Sequence, residues 1–464
     1  MKVVVCGAGQ VGFGIARHLA GEGNDVTVVD RDPSLMQRIS DTLDVRPVLG
    51  HGGHPDVLET AGAADADILI AVTASDEVNM VTCQVAKTLF NPRKTVARVR
   101  DRQYLTPRWQ QLFNNDNTDG HGGIGIDVII SPETEVGNAV IRRLALPGAF
   151  DNASFCAGDV QLIGISIEED CPVVDTPLNQ LTGLFPDLGA IVVSIRRNGK
   201  LYVPRFDDTM EPGDEAYVVT SHKDTERTLK IFGHEERAAQ RIVIMGGGNI
   251  GFQVARQLSL QGSRFAVSVI ENREERARQI AEKLPRAVVL HGDCLTPEIL
   301  VEAGVRSADL ALGLTNDDQI NILSTMLAGQ EGSASGLCLI NENSLQTLAG
   351  QFGMDAAINP RAITVSSVLS HVRRGRVKRV HAVGDAAAEV LEAEILDNSP
   401  LSGLKLRDAE LPDGMRLGAI MRGRKLIMPR GGTDLRSGDI AVAFVMADIL
   451  EDAEKLFSGE TESA

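Results

Sequence analysis

The sequence is poor in aromatic side chains and in positive charge, and each shortage excludes a class of function. Only 4% of its 464 residues are aromatic, with one Trp and three Tyr, which leaves little material for stacking nucleic-acid bases. The formal net charge of −17 disfavours nonspecific binding to nucleic acid or anionic lipid, because both reward positive charge. Small ligands held by local backbone groups, and other proteins, remain as partners.

Long apolar runs and paired cysteines are also missing. Apolar runs such as ADILIAV are far shorter than the roughly 20 residues of a membrane helix. No charged and apolar leader precedes the first strand at Val3, so we expect neither a membrane span nor secretion. The six cysteines form no C-x-x-C pair and are typical of reduced thiols in a cytosolic protein.

What the sequence does contain is a duplicated plan. Residues 2–19 align with 241–258, residues 55–79 align with 297–321, and a smaller unit at 192–219 aligns with 417–444. Repeats of this kind indicate two copies of one two-domain unit. We therefore predict four domains in the order N1, C1, N2 and C2, which span residues 1–150, 151–233, 240–380 and 381–464.

Each N unit alternates apolar strands with helical segments, the pattern of a doubly wound parallel sheet of the Rossmann type. In N1 we place strands at 2–6, 26–30, 46–49 and 68–72 and helices at 11–21 and 33–42. The C units have short β-rich runs and hairpin turns, which predict small α+β domains. A polar, glycine-rich stretch at 114–123 is interpreted as a loop. The predicted fold class is α/β, with a small α+β domain after each Rossmann unit.

Both N units begin with a strand, the glycine pattern G-x-G-x-x-G and a helix. The first glycine allows a tight turn, the second lets a pyrophosphate approach, and the third packs helix on strand, while the helix N-terminus offers free N–H groups. An acidic residue ends the next strand, Asp30 in copy 1 and Glu271 in copy 2, where a carboxylate binds the adenine ribose. The predicted loop residues are Gly7, Ala8, Gly9, Gln10, Val11 and Gly12, and Gly246, Gly248, Asn249, Ile250 and Gly251.

The two copies differ in charge near the predicted phosphates. Arg98 and Arg100 follow the fifth strand of copy 1, and the matching stretch of copy 2 has no arginine. If these arginines reach the site, copy 1 favours the more highly charged phosphate ligand; as surface residues they carry no such preference. Asp30 favours NAD over NADP, because a carboxylate repels a 2′-phosphate, and the neighbouring Arg31 weakens that repulsion.

Together these motifs resemble the RCK (KTN) domain family, which regulates potassium transport. The resemblance rests on the glycine loop, on G-[DN]-x-[TS]-x-P-x-x-L-x-x-A-G-x-x-x-A-D and on T-x-x-D-E-x-N, which recur in both copies with few changes. It covers nearly the whole chain. It implies binding of NAD(H) and adenine nucleotides, self-association into dimers or tetrameric rings, and control of an integral membrane potassium-transporting subunit of the Trk type. The chain is then cytoplasmic and peripheral on the inner face of the membrane.

The resemblance also assigns further contact residues. The loop that closes over the adenine maps to His51 and Asp293, and the threonine facing the cofactor maps to Thr73 and Thr315. Copy 1 departs from the family pattern, because His51 stands where Asp or Asn is usual. With His54 nearby, His51 also suggests a metal site, but the matching loop of copy 2 offers no such ligands, and we predict none.

Two other functions remain as alternatives. An NAD-dependent dehydrogenase needs an acid or base beside the nicotinamide, and the C units contain no obvious candidate. A DNA-binding redox sensor needs a basic reading helix, and the most basic stretch, 371–380, is short and is interpreted as a linker helix or a partner contact. We predict a non-enzymatic regulator whose N units bind ligands and change their relative angle, while the C units hold copies together.

Overall fold

The structure is a computed structural model of the chain. It describes residues 1–458 except 102, 107, 109–112, 114–122, 147, 186–187, 235–238, 343, 346–355, 373–376 and 385–386. The loop predicted at 114–123 therefore lies outside the described residues, apart from its last position. No helix within the described ranges is long and apolar enough to cross a lipid bilayer.

N1 is built on a six-stranded parallel sheet. Its elements are β1 (Lys2–Cys6), α1 (Gln10–Gly21), β2 (Asp25–Asp30), α2 (Pro33–Thr42), β3 (Arg46–Leu49), α3 (Pro55–Thr60), β4 (Ile68–Ala71), α4 (Asp76–Leu89), β5 (Lys94–Arg98), β6 (Val128–Ile130) and α5 (Pro132–Ala145). The strand order is β3-β2-β1-β4-β5-β6, which places ligands at the carboxyl ends of β1 and β4. The strands and helices predicted for N1 are confirmed, each to within one residue.

C1 follows as a five-stranded antiparallel sheet with two short helices. Its elements are β7 (Ala149–Phe155), β8 (Val160–Ser166), α6 (Leu178–Leu184), β9 (Ala190–Arg197), β10 (Lys200–Tyr202), β11 (Glu215–Ser221) and α7 (Thr225–Ile231). The strand order is β10-β9-β11-β8-β7. A hairpin ion pair ties this sheet together, with Arg197 donating from Nε and Nη2 to the two carboxylate oxygens of Asp214 at 2.8 Å and 2.7 Å.

N2 repeats the plan of N1. Its elements are β12 (Arg241–Met245), α8 (Asn249–Leu260), β13 (Ala266–Glu271), α9 (Glu274–Lys283), β14 (Val288–His291), α10 (Pro297–Glu302), β15 (Leu310–Gly313), α11 (Asp318–Gln330), β16 (Gly336–Leu339), β17 (Ala356–Ile358) and α12 (Pro360–Val372). Its strand order, β14-β13-β12-β15-β16-β17, matches that of N1 element for element. In β1 and in β12, four of five residues are buried, as expected for parallel strands with helices on both faces.

C2 repeats C1 and packs against it. Its elements are β18 (Val377–Val383), β19 (Ala388–Glu394), β20 (Met415–Arg422), β21 (Lys425–Ile427), β22 (Ile440–Met446) and α13 (Leu450–Ser458), with strand order β18-β19-β22-β20-β21. Buried residues of both C units, Phe155 and Tyr217 with Val390 and Phe444 among them, share one apolar cluster. The predicted fold class, two Rossmann-like units each followed by a small α+β domain, is confirmed.

The last helix of each N unit packs on the other N unit. Val136, Val140 and Leu144 of α5 belong to the apolar core of N2, and residues of α12 belong in the same way to the core of N1. The contacts are close, since a Cβ on Gly137 of α5 would lie 2.9 Å from the side chain of Gln253 on α8. Because each N unit completes the core of the other, N1 and N2 form one body.

The basic stretch 371–380 was interpreted as a linker helix or a partner contact, and the helix interpretation is wrong for its second half. Residues 371–372 end α12, and residues 377–380 belong to β18. The strand pairs antiparallel with β19, with Val380 opposite Leu391 and His381 opposite Val390. Backbone hydrogen bonding within the C2 sheet therefore sets the conformation of this segment, which its charge alone does not reveal.

Candidate nucleotide-binding cleft

A single cleft of about 980 Å³ lies between N1 and N2 and is lined by both. Repeat-equivalent residues occupy it in pairs, which are Gln10 and Asn249, Val11 and Ile250, Asp32 and Arg273, Ala74 and Asn316, Arg100 and Asn341, and Glu133 and Arg361. Both copies therefore contribute equivalent residues to this cleft, and we call it the shared cleft. It lies where the strand order of an open parallel sheet places ligands.

Eleven of the predicted site residues line the shared cleft: Gly7, Gly9, Gln10, Val11, Asp30, His51, Thr73, Arg98, Arg100, Asn249 and Ile250. The other eight lie within the described ranges but are not among its lining residues: Ala8, Gly12, Gly246, Gly248, Gly251, Glu271, Asp293 and Thr315. The cleft therefore gathers most of the copy 1 assignment and the first helical residues of copy 2.

The glycine loop of copy 1 has the geometry that a phosphate needs. Gly7 adopts a φ of 115°, and a Cβ there would lie 2.9 Å from the backbone nitrogen of Thr73. A Cβ on Gly12 would lie 1.8 Å from the carbonyl oxygen of Gly7, whereas one on Gly9 would meet no atom within 4 Å. Gly9 caps α1 without a side-chain hydrogen bond, so the first N–H groups of the helix face open space and favour an anion.

Copy 2 repeats this loop closely. Gly246 has a φ of 109°, and a Cβ on Gly251 would lie 1.9 Å from the carbonyl oxygen of Gly246. Gly248 again has nothing within 4 Å of an added Cβ and caps α8 without a side-chain hydrogen bond. Both helix N-termini are therefore shaped to accept a phosphate group.

The two ribose carboxylates are held differently. Asp30 is half-buried, and its oxygens accept hydrogen bonds from Ala8 N at 2.6 Å and Asp32 N at 3.0 Å. Glu271 is only 5% exposed, and it accepts from Gly247 N at 3.0 Å and from both N and Nε of Arg273 at 3.1 Å. Asp30 lines the shared cleft, whereas Arg273 lines it in place of Glu271.

Thr73 is bound by a residue that the sequence pattern did not single out as a site residue. Asn79 is fully buried, and its Oδ1 accepts from the backbone N and the hydroxyl of Thr73 at 2.8 Å and 2.7 Å. Its Nδ2 donates to the carbonyl oxygen of Arg98 at 2.8 Å. The hydroxyl of Thr73 therefore donates to Asn79 rather than into the cleft. Thr315 and Asn321 repeat the arrangement in copy 2.

Arg98 and Arg100 both reach the shared cleft, and Nε of each is buried without a hydrogen-bond partner among the described residues, but Arg100 is also held through its other groups. Arg100 donates to the carbonyl oxygen of Ala74, and its Nε lies 3.5 Å from Oδ1 of Asp76. Nε of Arg98 is buried and has no hydrogen-bond partner among the described residues, and burial lowers the pKa of this guanidinium. Arg98 is thus a desolvated cation whose donor groups fit an anionic ligand.

Helices α5 and α12, which we call the exchanged helices because each packs on the other N unit, add two charged residues that we did not predict. Glu133, at the start of α5, has a pKa raised mainly by burial, and its Oε2 has no hydrogen-bond partner in the described part of the chain. Arg361, at the matching position of α12, donates from Nη1 to the carbonyl oxygen of Asn341 at 3.3 Å. Copy 2 therefore does bring an arginine to the cleft, from a helix rather than from the strand end. The repeated Pro before each residue, Pro132 and Pro360, was the signal available in the sequence.

The adenine-side loops differ between the copies. The ring of His51 stacks on His54 with centroids 4.7 Å apart, and its Nδ1 accepts from Gly53 N at 3.2 Å. Asp293 instead accepts from Leu295 N at 2.9 Å. No cluster of three or more His, Cys, Asp or Glu suited to a metal ion occurs among the residues that the structure describes.

Comparisons with known proteins agree with this architecture. The TrkA-N domain family matches residues 3–132 and 242–360, and the TrkA-C domain family matches residues 162–233 and 390–458. The Trk system potassium uptake protein TrkA of Azorhizobium caulinodans is 53% identical over 457 residues, 98% of each chain. The protein of the same name from Halomonas elongata is 38% identical, also over 98% of each chain.

A solved structure of low sequence identity shares this fold. The structure named "GsuK channel bound to NAD" superimposes with a TM-score of 0.60 at 16% identity, over 98% of this chain and 78% of that one. The relatives are named as potassium uptake proteins and not as dehydrogenases. The chain therefore belongs to the TrkA family of Trk system potassium uptake proteins, and it is a regulatory protein of potassium uptake rather than an enzyme.

Proposed function

We propose that this chain senses NAD(H) and adenine nucleotides in the shared cleft and thereby gates an integral membrane potassium-transporting subunit of the Trk type. It acts from the cytoplasmic side, bound peripherally at the inner face of the membrane, and it works as dimers or tetrameric rings. The observation that carries the proposal is that both N units line one cleft. A ligand there touches both units, so its binding depends on how they are placed.

The residues of the cleft fit an adenine dinucleotide or nucleotide. The open position at Gly9 suits pyrophosphate at the N-terminus of α1, and Asn249 and Ile250 bring the first turn of α8 to the same cleft. Asp30 offers a carboxylate for ribose hydroxyls, and the buried, unpartnered Nε of Arg98 fits a phosphate oxygen. When bound, the ligand supplies negative charge beside two arginines, Arg98 and Arg100, whose positive charges otherwise repel one another.

Gating then follows from linkage. A ligand shifts a conformational equilibrium only if it binds one arrangement more tightly than the other. Gln10 of N1 and Asn249 of N2 both line the cleft, so the affinity of a ligand that contacts both depends on the N1–N2 angle. The exchanged helices α5 and α12 lead directly into C1 and C2, so a change in that angle moves the C units, which hold copies of the chain together.

Two matched substitutions test the cleft assignment. Gly9→Asp and Gly248→Asp each place a carboxylate in a phosphate path at positions where a Cβ meets no atom within 4 Å. Gly432→Asp, at an equally open position in C2, is the control. We expect calorimetric titration of the full chain with NADH, NAD and ATP to lose one binding event in each loop variant and none in the control.

The same variants test gating. In vesicles containing the cognate transporter subunit, potassium flux should respond to nucleotide with the wild type and the control, and the loop variants should blunt the response. Unchanged binding in both loop variants would overturn the cleft assignment. Normal nucleotide binding without any association with transporter-containing membranes would overturn the partner assignment instead.

A further inference from the structure

The adenosine ends of the two sites arrange their charged residues differently. In copy 1, the residues at the end of β2 and the start of α2 include Asp30 and Asp32, with Leu35 one turn further on. Asp32 caps α2, accepting from Ser34 N at 2.8 Å, and these hydrogen bonds lower the pKa of its carboxyl. Two carboxylates therefore stand at the ribose end of copy 1, with Arg31 between them in the sequence, and they would repel a phosphate on the ribose.

In copy 2 the matching positions carry two arginines, and the exposed Glu274 and Glu275 between them pair with Arg278 and Gln279 one turn further along the helix. Asp30 and Glu271 each end the second strand of their sheet, so Arg273 corresponds to Asp32 and Arg276 corresponds to Leu35. Arg273 is 69% exposed and lines the shared cleft. Its Nε bonds to Glu271 at 3.1 Å, and its two Nη groups make no hydrogen bond among the described residues.

Arg276 lies directly over the glycine loop of copy 2. Its Nε donates to the carbonyl oxygen of Gly247 at 3.0 Å, and its guanidinium carbon lies 5.5 Å from the ring centroid of Phe252. This stacking holds the guanidinium in place beside the helix N-terminus. Two cations thus flank the point where the ribose of a dinucleotide lies.

Glu271 does not cancel this positive charge at the ribose, because it is turned beneath the loop. Copy 1 has a methyl group at Ala8 and the shorter Asp30, whereas copy 2 has Gly247 and the longer Glu271. Oε2 of Glu271 lies 3.0 Å from the place where a Cβ on Gly247 would be. Cδ1 of Ile280, 2.4 Å from that place, fills the space of the missing methyl group, with the carboxylate of Glu271 beside it, and Arg273 lines the cleft.

We infer that copy 2 selects a nucleotide that bears a phosphate on its adenosine ribose, with Arg273 and Arg276 as the specificity-determining residues, while copy 1 selects the unphosphorylated ribose. This inference rests on the proposed function. A 2′-phosphate belongs to NADP(H) and a 3′-phosphate to coenzyme A, and both present the same charged group to the two arginines. Planar guanidinium groups bind phosphate oxygens in pairs, which gives the selection its strength.

The test uses three small probes that differ only in this phosphate: adenosine 5′-monophosphate, adenosine 2′,5′-bisphosphate and adenosine 3′,5′-bisphosphate. Each copy is isolated in the full chain by disabling the other loop, with Gly9→Asp to leave copy 2 and Gly248→Asp to leave copy 1. We expect copy 2 to bind one bisphosphate at least about tenfold more tightly than the monophosphate, and copy 1 to show the reverse order. The preferred isomer identifies the NADP(H) or the coenzyme A source.

Substitutions then locate the selection. In the Gly9→Asp background, Arg273→Gln with Arg276→Gln should abolish the bisphosphate preference and leave monophosphate binding. Arg278→Gln, which removes an exposed arginine of the same helix paired with Glu274, should preserve it. In the Gly248→Asp background, Asp32→Arg should raise bisphosphate affinity. Equal affinities of copy 2 for all three probes would overturn the inference while the cleft assignment stands, whereas no binding of any probe by either copy would overturn the proposed function.

Discussion

His18 joins N1 to C2 through Glu389. In the last turn of α1, Nε2 of His18 lies 3.5 Å from a carboxylate oxygen of Glu389 on β19 and 3.3 Å from one of Glu22. Glu389 is 3% exposed. At the repeat-equivalent positions of the second half of the chain all three residues are neutral amides: Gln257, Gln261 and Gln161. Of these two sets of equivalent positions, the one around His18 is therefore the one able to respond to protonation.

This asymmetry predicts a pH-dependent stability with a definite sign. The nearby carboxylates of Glu22 and Glu389 raise the pKa of His18 to about 9, against the opposing effect of burial. A histidine whose pKa is raised in the folded state stabilises the fold fully below the unfolded pKa of 6.5, and the contribution is lost as pH rises toward 9. We expect the free energy of unfolding to fall over this range by at most about 3 kcal/mol from this residue.

The measurement is urea unfolding of the wild type and His18→Gln between pH 6 and pH 9.5. The variant, which imitates Gln257 of copy 2, should show a shallower pH slope than the wild type. His54→Gln, at an exposed histidine, is the control and should keep the wild-type slope. Parallel slopes for the wild type and His18→Gln would show that the junction does not titrate in this range.

Breaking the hairpin ion pair of either C unit should cause a large loss of stability. Asp214 and Asp439 are 2% and 1% exposed, and each accepts a two-point hydrogen bond from an arginine, Arg197 or Arg422. Replacing one carboxylate leaves a half-buried arginine without its partner, so Asp214→Ala or Asp439→Ala should cost about 3 kcal/mol of unfolding free energy.

An exposed pair in C2 provides the matched comparison for this loss. Asp434 lies 3.6 Å from Arg436, with side chains 50% and 60% exposed, and solvent-exposed pairs contribute less than about 1 kcal/mol. Thermal unfolding of the full chain should therefore separate Asp434→Ala from the two buried variants. A loss as large for Asp434→Ala as for Asp439→Ala would contradict the assignment of stability to the buried pair.

Replacing the buried asparagine of one N unit should weaken nucleotide binding in that copy alone. Asn79 holds both Thr73 and the carbonyl oxygen of Arg98, so Asn79→Leu leaves buried polar groups unpaired, at about 1–3 kcal/mol for each. We expect this variant to weaken nucleotide binding in copy 1 and to leave copy 2 unchanged. Asn321→Leu should do the reverse, which calorimetry in the Gly9→Asp and Gly248→Asp backgrounds resolves. Equal losses in both copies from either variant would mean that the effect is global destabilisation.

The sequence was sufficient for features that depend on neighbouring residues. The strand before Gly7, the turn that requires its positive φ and the helix after it are local, so the repeated pattern predicted them. The packing of α5 on N2 and of α12 on N1 was not predictable in this way, because it joins residues far apart in the chain, such as Gly137 and Gln253. Arg361 was missed for the same reason. It lies on α12, which follows the strand end in the sequence, and a search for arginines at the strand end of copy 2 does not include this helix. The strand at 377–380 was mistaken for a helix although it pairs with β19, the next strand along the chain.

Replacing Arg98 should have opposite effects on the stability of the ligand-free protein and on its affinity for a ligand. Its buried Nε has no partner among the described residues, and a desolvated, unpaired cation destabilises the fold. Arg98→Gln should therefore leave the melting temperature of the ligand-free chain unchanged or raise it. In contrast, binding of ATP in copy 1 should weaken by about tenfold or more, because a charge-assisted hydrogen bond to phosphate is lost.

Thermal unfolding with and without ATP measures both effects in one experiment. Ligand-induced stabilisation follows the ratio of ligand concentration to dissociation constant, so the ATP-dependent rise in melting temperature should shrink in Arg98→Gln while the ligand-free value does not fall. Arg100→Gln is the comparison, because Arg100 already donates to Ala74 and lies beside Asp76, and its loss should lower the ligand-free melting temperature. A lower melting temperature of ligand-free Arg98→Gln would mean that Arg98 is a structural residue. A cation that serves only to bind a ligand destabilises the ligand-free protein, and its removal should not lower this melting temperature.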